Sequence, residues 1–302
     1  MGNVKSAKSL LSIAVLGVGK IGSVFAYQLA RAGHRVTVIA RPGSTRLQQL
    51  RRDNCIVLKT GERADVRIAD ALDEQTAYDL VIVTTLSHQV DTILPALERS
   101  QAKCFHFMFV NFNPERLTTA LGKQRCSFGM PFVMANLDGQ GRLIPTINPK
   151  QKTLHSEQRW VDLFEGAGIP SFMEPKMMLW LRCHVPMCIA FESAALMGQR
   201  RHGGVSWAQA RAVARGMRGG FEILKGLGYD LYPQMKVRLA SLPIFVVSVM
   251  LFFVTRNTSM RELLAATGQN ESRALIDEIT NAAEQETGLA TAVKAVLAVR
   301  PA

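Results

Sequence analysis

The chain has 302 residues, of which 48% are apolar and 20% charged. That balance excludes a disordered polar chain, which could not bury enough apolar surface to offset its conformational entropy, and the length predicts two domains. The net charge of +12 divides as +7 up to residue 173 and +5 beyond it. So even a spread excludes a basic tail that wraps nucleic acid, and a diffuse positive field suits small polyanions. The five cysteines (Cys55, Cys104, Cys126, Cys183, Cys188) form no C-x-x-C pair and are odd in number. They predict a reducing, cytoplasmic compartment rather than a disulfide framework.

In chain order, Lys5 and Lys8 ahead of the apolar residues 10–18 share the pattern of a signal peptide, but the glycines that follow favour a strand. Met1-Gly2 with Ser6 fits the loose N-myristoylation pattern and is read as a chance match. Ser12–Leu16 (SIAVL) reads as a buried parallel strand. It is followed by Gly17, Val18, Gly19, Lys20, Ile21 and Gly22, a G-x-G-x-x-G, then by helical spacing over 23–32, Gly33, and a second strand over 35–40. Glycines placed between a strand and a helix in this way predict a dinucleotide site. Gly17 allows the tight turn, Gly19 lets backbone approach a pyrophosphate, and Gly22 permits close helix–strand packing. The helix N-terminus then holds the anion.

The end of the second strand selects the cofactor. An acidic residue there would accept from the ribose hydroxyls of NAD. Here the position holds Arg41, no carboxylate appears until Asp53, and Ser44 and Arg46 follow closely. Arginines with a hydroxyl suit a 2′-phosphate, so NADP is the expected cofactor. Further strands are expected at 55–59, 66–69, 79–85 and 103–110, and helices at 89–100 and 156–166. Asn111 falls just after a strand, where cofactor or substrate would meet it.

From residue 174 strand signals fade. Residues 175–197 read as a helix kinked at Pro186, followed by a helix over 206–227, an apolar run at 242–255, and helices near 259–267 and 272–284. The apolar run has 14 residues, short of the roughly 20 a membrane span requires. Ser259-Met260-Arg261-Glu262 reads as a capping box, and Arg211, Arg215 and Arg218 as a solvated stripe. The expected architecture is an α/β Rossmann-type dinucleotide-binding domain over 1–173 and an all-α substrate and dimerisation domain over 174–302, with a cleft between them. No Cys/His cluster predicts a metal, and no basic aromatic stripe predicts nucleic acid.

The pattern IAVLGVGKIGSVFAYQLARAGHRVTVIAR, Asn111 after a strand, and Ser259-Met260 followed twelve residues later by Glu271 resemble the ketopantoate reductase family. The resemblance implies that NADPH reduces a 2-oxo acid. It also implies that a lysine supplies the proton with help from a glutamate, and that asparagine and serine hold the substrate. In this sequence Arg182 stands in the lysine position, Pro186 and Ala190 in two asparagine positions, Leu263 in an aspartate position, and Leu86 in a second lysine position. Phe112 follows Asn111 where the family has glycine.

An arginine keeps its proton at neutral pH, so Arg182 suits an electrostatic clamp better than a general acid. His184 is the nearest candidate donor in sequence, although two residues place it about 200° round a helix from Arg182. Glu271 is expected to orient Arg182 or pair with it. The expected activity is an NADPH-dependent reduction of a 2-oxo acid or a similar anionic carbonyl compound. The alternative is an NADP-binding sensor whose reductase site has decayed.

Overall fold

A run of apolar residues buried on both faces makes Ser12–Leu16 a central strand, β1, in the structure, a computed structural model that describes residues 10–201, 203–284, 286 and 288–301. The Lys5/Lys8 and Met1-Gly2-Ser6 patterns lie outside the described residues. Seven more strands complete one sheet: β2 (Arg35–Ile39), β3 (Arg67–Ala69), β4 (Leu80–Val83), β5 (Phe105–Met108), β6 (Cys126–Met130), β7 (Thr153–His155) and β8 (Ser171–Met173). Their order is β8-β7-β6-β5-β4-β1-β2-β3. All neighbours are parallel except β6 and β7. Ala14 lies opposite Thr37 on one side and Val81 on the other, so the chain order reverses at β1. That reversal leaves a crevice beyond the C-terminal ends of β1 and β4, where ligands of doubly wound sheets bind.

The chain divides into two compact units. The first comprises residues up to Thr85, Val90–Phe109 and Glu115–Met177, and the second comprises Leu86–Gln89, Val110–Pro114 and everything from Met178 onward. In the first unit, the helix Lys20–Arg31 buries Val24, Phe25 and Leu29 against the sheet, and Phe25 meets Phe164 of the helix Gln158–Gly166 edge-on. The residues 55–59 make a separate ribbon, Cys55–Val57 against Arg63–Asp65, while the neighbouring 66–69 stretch joins the main sheet as β3. A second ribbon pairs Met134–Leu137 with Leu143–Thr146.

The second unit is helical: Val185–Arg200, Trp207–Gly226, Gln234–Ser241, Ile244–Val254, Thr258–Leu264, Gln269–Ala283 and Ala290–Leu297, after the short Met177–Arg182. Pro186 does not kink a long helix. The chain breaks at Cys183-His184, and Pro186 sits in the first turn of the next helix, where its missing N–H costs nothing. The capping box also lies elsewhere than expected. Ser206 and Gln209 form it, whereas Asn257 caps the helix that contains Ser259. In the arginine stripe, Arg211 and Arg215 are exposed, but Arg218 donates to the Leu242 carbonyl at 2.6 Å. Among the described residues no single helix is long and apolar enough to cross a membrane.

One polar chain runs through the core of the first unit. His106 Nδ1 meets Ser127 Oγ, His106 Nε2 meets His155 Nδ1 at 2.8 Å, and His155 Nε2 meets Ser171 Oγ at 3.2 Å. Both rings are fully buried, and burial holds them neutral, with His155 pushed down to about 3. The unfolded chain therefore binds protons that the folded chain rejects, and the associated stability is present above pH 6.5 and lost as pH falls toward 3. Urea unfolding across pH 7 to 4 is expected to show this loss, at up to about 1.4 kcal/mol per pH unit from His155. His155→Gln removes that part of the slope; an unchanged slope would assign the acid sensitivity to other groups.

Candidate active site

The glycine loop is shaped by backbone against backbone. Gly17 has φ +94°, and a Cβ there would lie 3.0 Å from the Thr84 carbonyl carbon and the Thr85 nitrogen. A Cβ on Gly22 would lie 2.5 Å from Gly17 O and 2.6 Å from Thr84 Oγ1. Thr84 Oγ1 itself donates to Gly17 O at 2.8 Å, so the strand ends and the helix form one closed junction. Gly19 is the opposite case: a Cβ there meets nothing within 4 Å, which leaves open space over the first turn of Lys20–Arg31. That turn has no side-chain cap and no acidic residue, so its N–H groups and positive dipole end stay available to an anion. Val18 is buried, Ile21 is half-buried, and Lys20 is exposed. An uncapped helix end beneath open space fits the pyrophosphate of a dinucleotide.

The residues beyond β2 divide into three roles. Arg41 is exposed. Ser44 caps the helix Thr45–Asp53, its hydroxyl accepting from Leu47 N at 3.2 Å. Arg46 turns inward, in contrast to the expectation of a free phosphate grip. It donates to Val18 O (3.2 Å), Ser23 Oγ (2.8 Å) and Gly141 O (2.7 Å), and burial pulls its pKa down to about 10. Arg46 thus braces the glycine loop from below.

A second constellation lies wholly within the helical unit. The segments Leu86–Gln89 and Val110–Pro114 follow the adjacent parallel strands β4 and β5 and cluster with the helices. Asn111 is buried; its Oδ1 accepts from Asn113 N at 3.0 Å, and its Nδ2 has no partner. Arg182 is anchored on the next residue, with Nε donating to Phe112 O at 3.0 Å. Its guanidinium is buried, 4.3 Å from the Tyr229 ring centre and 5.9 Å from that of Phe112. The structure therefore brings Arg182 to the Asn111 turn.

Glu271 does not pair with Arg182, contrary to expectation. Its buried carboxylate accepts from Ser87 N (3.0 Å) and His88 N (3.3 Å) and meets His88 Nδ1 at 2.8 Å. His184 is corrected too: its ring stacks on Trp180 at 4.6 Å, its Nδ1 is buried without a partner, and burial pushes it down to about 3. A ring that stays neutral at physiological pH is a poor proton donor. Ser259 is exposed in the helix Thr258–Leu264. His88 is the residue that sequence reasoning missed; the available signal was a titratable side chain just past the end of an apolar strand, the edge where ligands bind.

Two further buried groups lie in this unit. Lys236 is fully buried, donates to Trp180 O at 2.6 Å, and sits 3.7 Å from the centre of the Trp180 ring. Glu192 is pushed up to about 8, first by burial and then by the charge of Glu271. Among the described residues no cluster of His, Cys, Asp and Glu could hold a metal, and all five cysteines are free.

Residues 13–153 match the family model described as ketopantoate reductase PanE/ApbA. The whole chain has the fold of solved ketopantoate reductases. The PanE/ApbA family ketopantoate reductase from Ralstonia eutropha JMP134 aligns at TM-score 0.72 and 18% identity, over 95% of each chain. The 2-dehydropantoate 2-reductase from Porphyromonas gingivalis W83 aligns at 0.66 and 14%, over 95% of this chain and 98% of that one. D-mandelate dehydrogenase in complex with NADH aligns at 0.66 and 14%, over 96% and 97%. No curated protein matches the chain.

Two substitutions test this geometry. Gly22→Ala forces backbone apart at the closed junction, and we expect a loss of about 1–3 kcal/mol in unfolding free energy together with weakened dinucleotide binding. Glu192→Gln removes a group that must ionise in a buried setting. Free glutamate titrates near 4.5 and Glu192 near 8, so the wild type loses stability as pH rises between those values. The variant is expected to be the more stable protein at pH 8, with the gap closing toward pH 4.5.

Proposed function

We propose that this protein is an NADPH-dependent reductase of a 2-oxo acid or a related anionic carbonyl compound, its substrate not limited to ketopantoate. The observation that carries the reading is the buried Arg182 guanidinium fixed on the Phe112 carbonyl, one residue along the chain from Asn111, whose Nδ2 lacks a partner. A desolvated cation binds a carboxylate or a developing oxyanion, and an open amide donor beside it can fix a carbonyl or hydroxyl. The same groups fit a substrate with adjacent carboxylate and carbonyl oxygens.

The cofactor would lie along Gly17, Val18, Gly19, Lys20, Ile21 and Gly22, with its pyrophosphate over the open first turn. When bound, reduced nicotinamide supplies the hydrogen and the electron pair that saturate the carbonyl carbon. Arg41 supports NADPH over NADH: it is exposed at the end of β2, and Asp70, which follows the adjacent strand β3, is paired with Arg51 at 2.7 Å. The helical unit would hold the substrate through Arg182 and Asn111, with Ser259 a further candidate contact, and would form the interface of a homodimer. A similar fold from Staphylococcus aureus is described as a dimeric ketopantoate reductase. Five free cysteines support a cytoplasmic site of action.

The test is oxidation of NADPH, followed at the nicotinamide absorbance band, with ketopantoate, phenylglyoxylate and shorter 2-oxo acids. Turnover of at least one is expected, and no oxidation with any would overturn the reading. Arg182→Ala is expected to lower kcat/KM by about 100-fold or more, as loss of a charged hydrogen-bond partner does. Arg41→Ala is expected to weaken NADPH binding about tenfold while leaving NADH unchanged, which is the loss of one charge-assisted contact to the 2′-phosphate.

A further inference from the structure

A carbonyl reduction needs a proton for the new hydroxyl, and the clamp beside Asn111 cannot give one, because an arginine stays charged at any physiological pH. Four of the other histidines are closed to the task. His106 and His155 are locked in the core of the first unit, and His34 Nδ1 accepts from Leu11 N at 3.3 Å in that unit. His184 lies under Trp180. Lys236 is sealed from solvent and donates to the Trp180 carbonyl. His88 differs from all of these. Its Nδ1 is held at 2.8 Å by the Glu271 carboxylate, its backbone N–H is held by the same carboxylate, and its side chain is 24% exposed. No hydrogen bond engages its Nε2 among the described residues.

We propose that His88 is the proton donor of this reductase and that Glu271 is its positioning residue. The proposal rests on the reductase reading above. The placement supports it: Leu86–Gln89 and Val110–Pro114 leave the same edge of neighbouring strands and join the same unit, so His88 and the Asn111–Arg182 clamp descend from adjacent strand ends.

As the carbonyl carbon is reduced, the C=O π bond breaks and its electron pair moves to oxygen. Imidazolium Nε2–H then gives its proton to that oxygen, forming the O–H bond and leaving neutral imidazole with its remaining N–H on Nδ1, donated to Glu271. Solvent restores the proton at the exposed edge of the ring. In the reverse direction the neutral ring takes the proton of a 2-hydroxy acid. Glu271 fixes the ring by a carboxylate–histidine contact, and it is itself fixed by the amides of Ser87 and His88, so a ring that swings away takes one of three donors from a buried carboxylate. The other ionisable groups around this pair are Glu278, whose Oε1 lies 3.4 Å from Ser87 Oγ, and Glu192 with Cys188, which face Glu271 from the Val185–Arg200 helix.

The experiment compares the full-length wild type with His88→Gln and Glu271→Gln, with fold checked by thermal unfolding and NADPH affinity by fluorescence. On an oxo acid that the wild type reduces, His88→Gln is expected to lower kcat 100-fold or more and to erase the basic limb of the pH–rate profile, with NADPH affinity unchanged. Glu271→Gln is expected to lower kcat about tenfold or more with NADPH affinity unchanged, and Glu271→Asp to restore part of that rate, because the ring loses the contact that positions it. A His88→Gln enzyme that keeps its rate within threefold and its profile intact would overturn the proposal.

A second readout does not depend on turnover: calorimetric binding of oxamate, a planar anion with adjacent carboxylate and carbonyl oxygens. In the wild type oxamate affinity is expected to fall as pH rises, and in His88→Gln that fall is expected to be lost. Identical pH dependence in the two proteins would overturn the role of His88. If the wild type reduces no oxo acid yet binds oxamate with this pH dependence, the reductase reading fails and the imidazolium–anion pairing stands.

Discussion

A carboxylate buried without partners is among the most costly features a fold can contain. Glu271 avoids that cost only because three donors from one short segment, Ser87 and His88, converge on it. The consequence is architectural. The segment after β4 is drawn onto the helix Gln269–Ala283 and becomes part of the helical unit, although its neighbours in sequence belong to the first unit. Arg182 exerts a similar constraint on the segment after β5 through the Phe112 carbonyl. Two buried ionic side chains, one of each sign, therefore decide where two strand-end loops come to rest.

The two ions take separate chemical parts in the proposed reaction. A lysine in the clamp position could supply both charge and proton, since burial tunes its ammonium across neutral pH. An arginine supplies charge alone. A chain with arginine there requires a second titratable group, and the group has to be oriented by something other than the arginine. Glu271 serves that need in this structure because its contact is with His88. The roles of charge and proton then fall to different residues on different loops.

Sequence reasoning reached the parts of the fold governed by local pattern. The glycine spacing, the alternation of apolar strands and helices, and the loss of strand signals after residue 174 all depend on near neighbours, and the sheet follows from them. It did not reach the partners of long side chains. Glu271 was expected on Arg182, but the donors it meets are 183 and 184 residues away. Arg46 looked like a phosphate ligand because it follows Arg41 and Ser44, yet its guanidinium turns toward Val18 and Gly141. Pro186 looked like a kink because nothing in the sequence marks Cys183-His184 as a break. His88 left little trace, since a single histidine after a strand has no spacing to betray it.

The closed junction of Gly17, Gly22 and Thr84 governs how such a chain can vary over time. There the nearest contacts of both glycines include main-chain atoms, so a smaller Thr84 or Thr85 side chain does not by itself make room, and a change at one position has no single compensating change at another. The clamp and proton donor are built differently, from side chains fastened to helices and loops that would hold their course with other residues in place. A fold of this kind can therefore exchange its chemistry one residue at a time while its nucleotide cradle stays locked, and new substrates are open to it long before a new cofactor is.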